Sequence, residues 1–347
     1  MPHFDPSAAA QPGSGIFGLP NTRDDAGVHV LPVPFDATAS YRKGAWRGPD
    51  ALLRASRQVD LFDAVTGRPY EAGIWMAEPP RGALELNREA SRLADGIIAA
   101  GGDVDAAPHL RADLARVNAI GAELNELVRQ ATHAALERGV LPVLVGGDHA
   151  TPFGAIAACA ERNPGLGVLH FDAHADLRVA YEGFEWSHAS IMENVTRRLP
   201  KVARLVQVGI RDFSEDEYEL SRSSRGRIVT LYDRDWQHAR LSGGERTLLV
   251  VREHLSQLPQ NVYVSFDIDG LDPALCPNTG TPVPGGLSWA DAMLWLEELS
   301  RAGKRVVGLD LNEVNPGPAG DDEDSWDAMV GARLLYRMIG VALMTRR

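Results

Sequence analysis

Short apolar runs recur along the chain and alternate with longer stretches whose apolar positions follow a helical spacing. The short runs are rich in β-branched residues and apolar at nearly every position, as in strands that are covered on both faces. We predict strands at 28–34, 141–147, 167–172, 204–210, 227–232, 262–267 and 305–311. We predict helices at about 115–138, 151–162, 188–199, 244–257, 288–301 and 325–343. This alternation predicts an α/β fold with a parallel sheet between two layers of helices.

Two stretches fall outside this alternation. Residues 1–15 are rich in Ala, Pro, Gly and Ser, so we predict an N-terminal arm, whose boundary we place at residues 1–27. The stretch 80–115 is less regular, and we predict an excursion that does not divide the domain. A chain of 347 residues is long for one domain but fits a single large α/β unit, which we place at 28–347.

Composition and charge narrow the classes of function. The chain is 44% hydrophobic and 24% charged, as in soluble globular proteins, and its net charge of −12 disfavours nucleic acid and acidic membranes as partners. Its two cysteines, Cys159 and Cys276, are too few for a disulfide framework. No basic segment followed by an apolar one opens the sequence, and no apolar run approaches the roughly 20 residues of a membrane span. We expect a cytoplasmic protein.

Acidic and histidine residues follow four of the predicted strands. They are Asp148 and His149, then Asp172, His174 and Asp176, then Asp267 and Asp269, and finally Glu313. Ligands of open parallel sheets bind beyond the carboxyl ends of the strands, so we expect these side chains to converge at one edge. Alternation along an extended chain would also point Asp172, His174 and Asp176 in the same direction.

So many carboxylates in one crevice need a counter-charge, because they would otherwise repel one another or take up protons. Two divalent cations would supply it, and a mixed set of imidazole nitrogens and carboxylate oxygens suits Mn²⁺ or another first-row metal. No thiolate belongs to the set, which disfavours a structural zinc site. Any single aspartate could instead cap a turn or helix, but that explanation is weak for all of the segments together.

Five segments resemble signature segments of the ureohydrolase family, which includes arginase and agmatinase. They are GGDHA (146–150), FDAHAD (171–176), SFDIDGLDP (265–273), GTPVPGG (280–286) and EVNP (313–316). The resemblance covers about residues 28–343. It implies a three-layer α/β/α sandwich around an eight-stranded, mostly parallel sheet. It also implies hydrolysis of a guanidinium group to urea and an amine, and a homo-oligomer, either a trimer or a hexamer.

The resemblance further implies a binuclear Mn²⁺ site, with Ni²⁺ as an alternative. One metal would be bound by His149, Asp172, Asp176 and Asp267, and the other by Asp172, His174, Asp267 and Asp269. Two metals can lower the pKa of a water molecule enough to attack the guanidinium carbon, which is a poor electrophile.

Two further residues match catalytic positions of the family. Glu313 matches the glutamate that binds the guanidinium, a task that paired hydrogen bonds to a carboxylate can perform. His188, in EWSHASIM, matches the mobile active-site histidine, and an imidazole suits proton transfer to the leaving amine. With Asp176 they form the predicted catalytic set. We expect His170 to be a hydrogen-bonded neighbour of the ligands and Asp148 to orient His149 or the nearby backbone.

The prediction of the substrate depends on Arg178. This residue occupies the position, two residues after Asp176, at which arginase-type members are expected to carry an Asn. The segment GTPVPGGLS (280–288) is closer to the agmatinase pattern, so we predict a small cationic guanidino substrate. The first candidate is agmatine, which would be cleaved to putrescine and urea. An Arg178 that faces the pocket would instead favour 4-guanidinobutanoate or formimidoylglutamate. An Arg178 that faces solvent, or that pairs with Glu182 or Glu185, would not indicate which substrate is bound. Also open are 3-guanidinopropanoate, free guanidine, a zinc-dependent deacetylase of related fold, and a silent scaffold.

Overall fold

The structure is a computed structural model, and it describes residues 4–11, 13–318 and 325–346. These residues form one eight-stranded sheet in which every pair of neighbouring strands is parallel. The strands are β1 (Val28–Val33), β2 (Ile74–Met76), β3 (Leu141–Gly146), β4 (Leu166–Phe171), β5 (Val202–Ile210), β6 (Ile228–Tyr232), β7 (Asn261–Asp267) and β8 (Arg305–Asn312). Their order across the sheet is β2-β1-β3-β8-β7-β4-β5-β6.

Helices cover both faces of this sheet. They are α1 (Gly48–Ser56), α2 (Ala83–Ala99), α3 (Arg111–Glu137), α4 (Phe153–Arg162), α5 (Ile191–Arg198), α6 (Glu215–Ser223), α7 (Asp233–Leu241), α8 (Gly244–Gln257), α9 (Trp289–Arg301) and α10 (Trp326–Met344). Apolar residues of α1 and α7–α10 share one core with one face of the sheet, and those of α2–α5 share a second core with the other face. The predicted three-layer α/β/α fold is therefore confirmed.

The seven predicted strands are all present, because each is an apolar run that contributes side chains to both cores. β3 and β4 are buried at every position. The prediction missed β2, which has three residues at the sheet edge, two of them only half-buried. It also missed α1 and the 17-residue α2, and it missed α6 and α7, which have nine residues each and carry too few apolar positions to mark a clear period.

The irregular stretch at 80–115 folds as α2 and the connection to α3. The carboxyl end of α2 and the amino end of α3 enclose a small separate core that contains Ile97, Leu110 and Val117. Phe184 inserts into this core and is completely buried. The excursion therefore anchors the loop that lies between Asp176 and His188.

Part of the predicted N-terminal arm packs into the domain. Ile16, Phe17 and Leu19 are buried in the core that α1 and α10 share. The Phe17 ring lies 4.8 Å from the ring of Tyr336 in α10, measured between centroids. No helix in the described part of the chain has the length and apolar character that a bilayer span requires.

Candidate active site

The four strands that end in the candidate residues are neighbours at the centre of the sheet, so their carboxyl ends lie side by side. The His149 ring is the meeting point of three carboxylates. Its Nδ1 lies 2.9 Å from Asp172 Oδ2, 3.2 Å from Asp176 Oδ2 and 3.3 Å from Asp267 Oδ2. These four side chains, which the sequence placed on one metal, are buried together.

A second group of donor atoms adjoins the first. His174 Nδ1 lies 3.4 Å from Asp172 Oδ1 and 3.1 Å from Asp269 Oδ2, so Asp172 takes part in both groups. His170 also approaches Asp172, with 2.8 Å between Nε2 and Oδ2, while Gln207 Nε2 lies 3.1 Å from its other ring nitrogen. The structure thus brings together all six predicted metal ligands and places His170 beside them, as a hydrogen-bonded neighbour.

The chemistry of this donor set fits divalent cations. Burial and the charge of Asp172 raise the pKa of Asp176 to about 8. Burial and the charge of Asp269 raise the pKa of Asp267 well above its ordinary value. Both shifts express uncompensated negative charge in a buried place, which bound cations would neutralise. The donors are imidazole nitrogens and carboxylate oxygens, a set that binds first-row metals.

A row of polar side chains inside the strands forms hydrogen bonds to the His/Asp cluster. Gln207, His170, Ser265 and Asp310 lie in register on β5, β4, β7 and β8, inside strands that are otherwise apolar. His149 Nε2 lies 2.9 Å from Ser265 Oγ, which donates to Asp310 Oδ1 over 2.9 Å. These bonds hold the ring with Nδ1 towards the carboxylates, as partners of metal-binding histidines do. The sequence analysis missed this support, although single polar residues inside buried strands were a signal for it.

Glu313 lies at the edge of the cluster. Its Oε1 accepts a hydrogen bond from the backbone N–H of His149 over 3.0 Å. Burial and the charge of Asp267 raise its pKa well above the ordinary value for a glutamate. A Cβ atom at Gly280 would lie 3.2 Å from Glu313 Oε2, so the backbone passes close to this carboxylate. The arrangement leaves a buried acid group where a cation would be stabilised.

His188 stands at the start of the turn that leads into α5. The Asp176 carbonyl oxygen accepts the N–H groups of Met192 and Glu193, each over 3.0 Å, and so ties α5 to the ligand loop. Burial and the neighbouring His174 lower the pKa of His188 to about 4. The imidazole is therefore neutral at pH 7, in a form that can accept a proton.

Arg178 is engaged by protein groups. Its Nε lies 3.7 Å from Glu217 Oε2, and its guanidinium stacks over the Tyr181 ring at 5.3 Å. Glu217 is buried, and no sequence motif indicated it as the partner of Arg178. The partners that the sequence analysis considered were Glu182 and Glu185. With 40% of its side chain exposed, Arg178 is held at the rim of the site and not inside the cluster.

Asp148 orients backbone and not the His149 ring. Its Oδ1 accepts the N–H of Ala150 over 3.1 Å. Burial and the charge of Asp36 raise its pKa to about 8. The predicted supporting role thus applies to the chain around His149.

Comparison with known proteins agrees with this geometry. A model of the arginase family matches residues 26–340. The chain is 35% identical to N(1)-aminopropylagmatine ureohydrolase of Thermus thermophilus, over 94% of each chain. It is 29% identical to agmatinase of Pyrococcus horikoshii, over 92% of this chain and 93% of that one. The crystal structure of a hypothetical agmatinase from Burkholderia thailandensis has the same fold, with a TM-score of 0.72 and 24% identity over 99% of this chain and 93% of that chain. The chain therefore belongs to the arginase family of ureohydrolases.

Proposed function

We propose that this protein is a Mn²⁺-dependent ureohydrolase that converts agmatine to putrescine and urea. Agmatine extended by an aminopropyl group would be a second substrate of the same chemistry. The observation that carries the proposal is the buried Glu313 carboxylate, which is bonded to the backbone of His149 at the edge of the His/Asp cluster. The names of the similar proteins from T. thermophilus and P. horikoshii support an amine-bearing guanidino substrate.

The residues of the cluster would hold two metal ions. The proposed ligands are His149, Asp172, His174, Asp176, Asp267 and Asp269. When bound, the metal ions would acidify water and so make a nucleophile available at neutral pH. Glu313 would accept N–H bonds from the guanidinium and place its carbon at the cluster. His188 would carry a proton between the attacking water and the leaving amine.

The environment of Arg178 favours an amine over a carboxylate at the far end of the substrate. A carboxylate that already balances the charge of an arginine weakens the attraction of that arginine for a substrate carboxylate. Arg178 is shared between Glu217 and the face of Tyr181. The net charge of −12 also favours cationic ligands. The guanidino acids are therefore second choices.

The first experiment is a urea-release screen with protein reconstituted separately with Mn²⁺ and Ni²⁺. The substrates are agmatine, its aminopropyl derivative, arginine, 4-guanidinobutanoate, 3-guanidinopropanoate and guanidine, with formamide release from formimidoylglutamate measured alongside. We expect agmatine or its aminopropyl derivative to have the highest kcat/KM with Mn²⁺. A preference for a guanidino acid, or for guanidine with Ni²⁺, would contradict the substrate assignment. No release from any compound by metal-loaded protein would contradict the function.

We also propose a cytoplasmic homo-oligomer, either a trimer or a hexamer, with residues 28–347 as one catalytic domain. The family match over residues 26–340 supports the single domain. Light scattering after size-exclusion chromatography tests the assembly. A fully active monomer would contradict it.

A further inference from the structure

Two loops near the candidate site approach each other at Lys43 and Glu182. The first, residues 36–44, lies against the segment that follows Glu313. Asn315 donates from Nδ2 to the Lys43 carbonyl oxygen over 3.4 Å, and Gly44 packs so closely on Asn315 that no side chain fits at position 44. The second loop, residues 177–187, connects Asp176 to His188. Through Lys43, the first loop therefore connects the surroundings of Glu313 with Glu182 of the second loop.

The second loop ends in a tight turn with an unfavourable residue. Tyr181 and Phe184 exchange two backbone hydrogen bonds, of 3.2 and 2.9 Å. The two residues between them, Glu182 and Gly183, have positive φ angles of 52° and 84°. A two-residue turn with this geometry is of type I′, in which Asn or Gly is preferred at the first position. Glutamate with a positive φ is strained, and such strain is typical of functional positions.

The packing around the turn fixes the position of Glu182. Phe184 is completely buried in the core between α2 and α3. Gly102 packs on the Glu182 backbone so closely that a Cβ atom at 102 would lie 2.5 Å from the Glu182 Cα atom. The carboxylate is therefore carried on a rigid turn, as specificity contacts usually are.

Charges around the two loops are paired unequally. The Lys43 ammonium lies 2.6 Å from Asp95 Oδ1, and Arg178 pairs with Glu217. Glu182 Oε2 is covered by protein, yet no hydrogen-bond donor reaches it from the residues that the structure describes. Burial raises the pKa of Glu182, and the nearby Lys43 ammonium partly opposes the rise. The carboxylate thus lacks a donor of its own, although it lies near the opposite loop.

We propose that Glu182 accepts the ammonium group at the far end of the substrate and thereby selects amine-bearing guanidino compounds. The inference rests on the proposed function and assigns one residue of that site. The Glu182 side chain as a whole is only half-buried, so an ammonium group between the two loops can approach its other oxygen, Oε1, and form a charge-assisted hydrogen bond. A carboxylate at the same place meets repulsion from Glu182. An alkyl end gains nothing from it.

Isothermal titration of the Mn²⁺-loaded protein with three ligands tests this assignment, at a temperature low enough for urea release during the titration to be negligible. Agmatine carries the ammonium, butylguanidine has a methyl end instead, and 4-guanidinobutanoate has a carboxylate. The variant is Glu182→Gln. The matched control is Glu185→Gln, because Glu185 is an exposed glutamate of the same loop that pairs with Arg198 at 2.9 Å. We expect Glu182→Gln to raise the Kd for agmatine about tenfold, the size of effect that one charge pair produces, while the Kd for butylguanidine is unchanged. We expect no change in Glu185→Gln.

Equal weakening of agmatine and butylguanidine in Glu182→Gln, or an unchanged Kd for agmatine, would overturn the proposal. A second variant, Glu182→Asn, supplies the residue that the turn prefers. We expect its melting temperature to match or exceed that of the wild type while agmatine binding weakens as in Glu182→Gln. A lower melting temperature would make Glu182 a structural residue and overturn the proposal.

The two proposals fail in different ways. If wild-type protein does not bind agmatine but releases urea from another guanidino compound, the assignment of Glu182 is wrong and the ureohydrolase function stands. If agmatine binds in a manner that depends on Glu182 but no compound yields urea, the function is wrong and the assignment of Glu182 stands.

Discussion

The backbone N–H of His149 donates to Glu313 Oε1 over 3.0 Å, which joins the proposed metal site directly to the proposed substrate site. The two residues follow adjacent strands, and the Glu313 N–H in turn donates to the Gly147 carbonyl oxygen over 2.8 Å. Glu313 has a φ of 61°, a left-handed conformation that is strained for glutamate. Backbone geometry therefore sets the distance between the guanidinium site and the His/Asp cluster.

Glu313→Gln keeps the size of the side chain and removes its charge. We expect kcat/KM for agmatine to fall about 30-fold or more, because loss of a charge-assisted pair in a buried site costs roughly 2–5 kcal/mol. We expect the metal content to stay as in the wild type. Urea release and elemental analysis by mass spectrometry measure the two quantities. Unchanged kinetics would remove Glu313 from substrate binding.

Asp267→Ala should remove activity and at least one of the proposed pair of metal ions, since Asp267 is the proposed bridging ligand that follows β7. The matched control is Asp272→Ala, because Asp272 is an exposed aspartate whose carboxylate accepts the N–H of Ala274 in a turn. We expect the control to retain metal and activity. An active, fully metallated Asp267→Ala protein would contradict the site assignment.

Ser265→Ala removes the hydroxyl group between His149 Nε2 and Asp310. We expect metal affinity to fall about 10- to 100-fold, as for other outer partners of metal-binding histidines. The measurement is a competition titration against a chelator with a metal-sensitive dye. A metal affinity equal to that of the wild type would mean that the polar row does not orient His149.

Arg178→Ala tests whether the rim arginine selects substrates. Because Glu217 and Tyr181 engage Arg178, we expect the KM values for agmatine and 4-guanidinobutanoate to keep their ratio. The free energy of unfolding should change by about 1 kcal/mol or less, since the ion pair is partly exposed. A selective rise in the KM for 4-guanidinobutanoate would show that Arg178 binds a substrate carboxylate.

The two cysteines should be unreactive in the folded protein. Burial raises the pKa of Cys159 to about 12, and burial likewise raises the pKa of Cys276. Only the thiolate is the nucleophile, so a disulfide reagent should titrate no thiol at pH 8 and both thiols in guanidinium chloride. A fast-reacting thiol in native protein would show that one of these sites opens.

Local sequence was sufficient for seven of the eight strands of the described sheet, for the layered α/β fold and for the candidate residues at the strand ends. The apolar runs are long enough to mark buried strands. Asp172, His174 and Asp176 follow such a run at alternate positions, so an extended chain already points them in one direction. The helices α6 and α7 and the strand β2 escaped prediction because they are short and bury few residues.

Tertiary structure decided how separate segments meet. The strand order β3-β8-β7-β4 places His149 beside Glu313, although the two lie 164 positions apart. Register between distant strands aligns Ser265 with Asp310, and the core between α2 and α3 holds the turn that carries Glu182. Periodicity along a chain records which face of an element is buried, and it carries no information about which distant element will cover that face. The candidate ligands were therefore readable from the sequence, whereas their supports and the partner of Arg178 were decided by long-range packing.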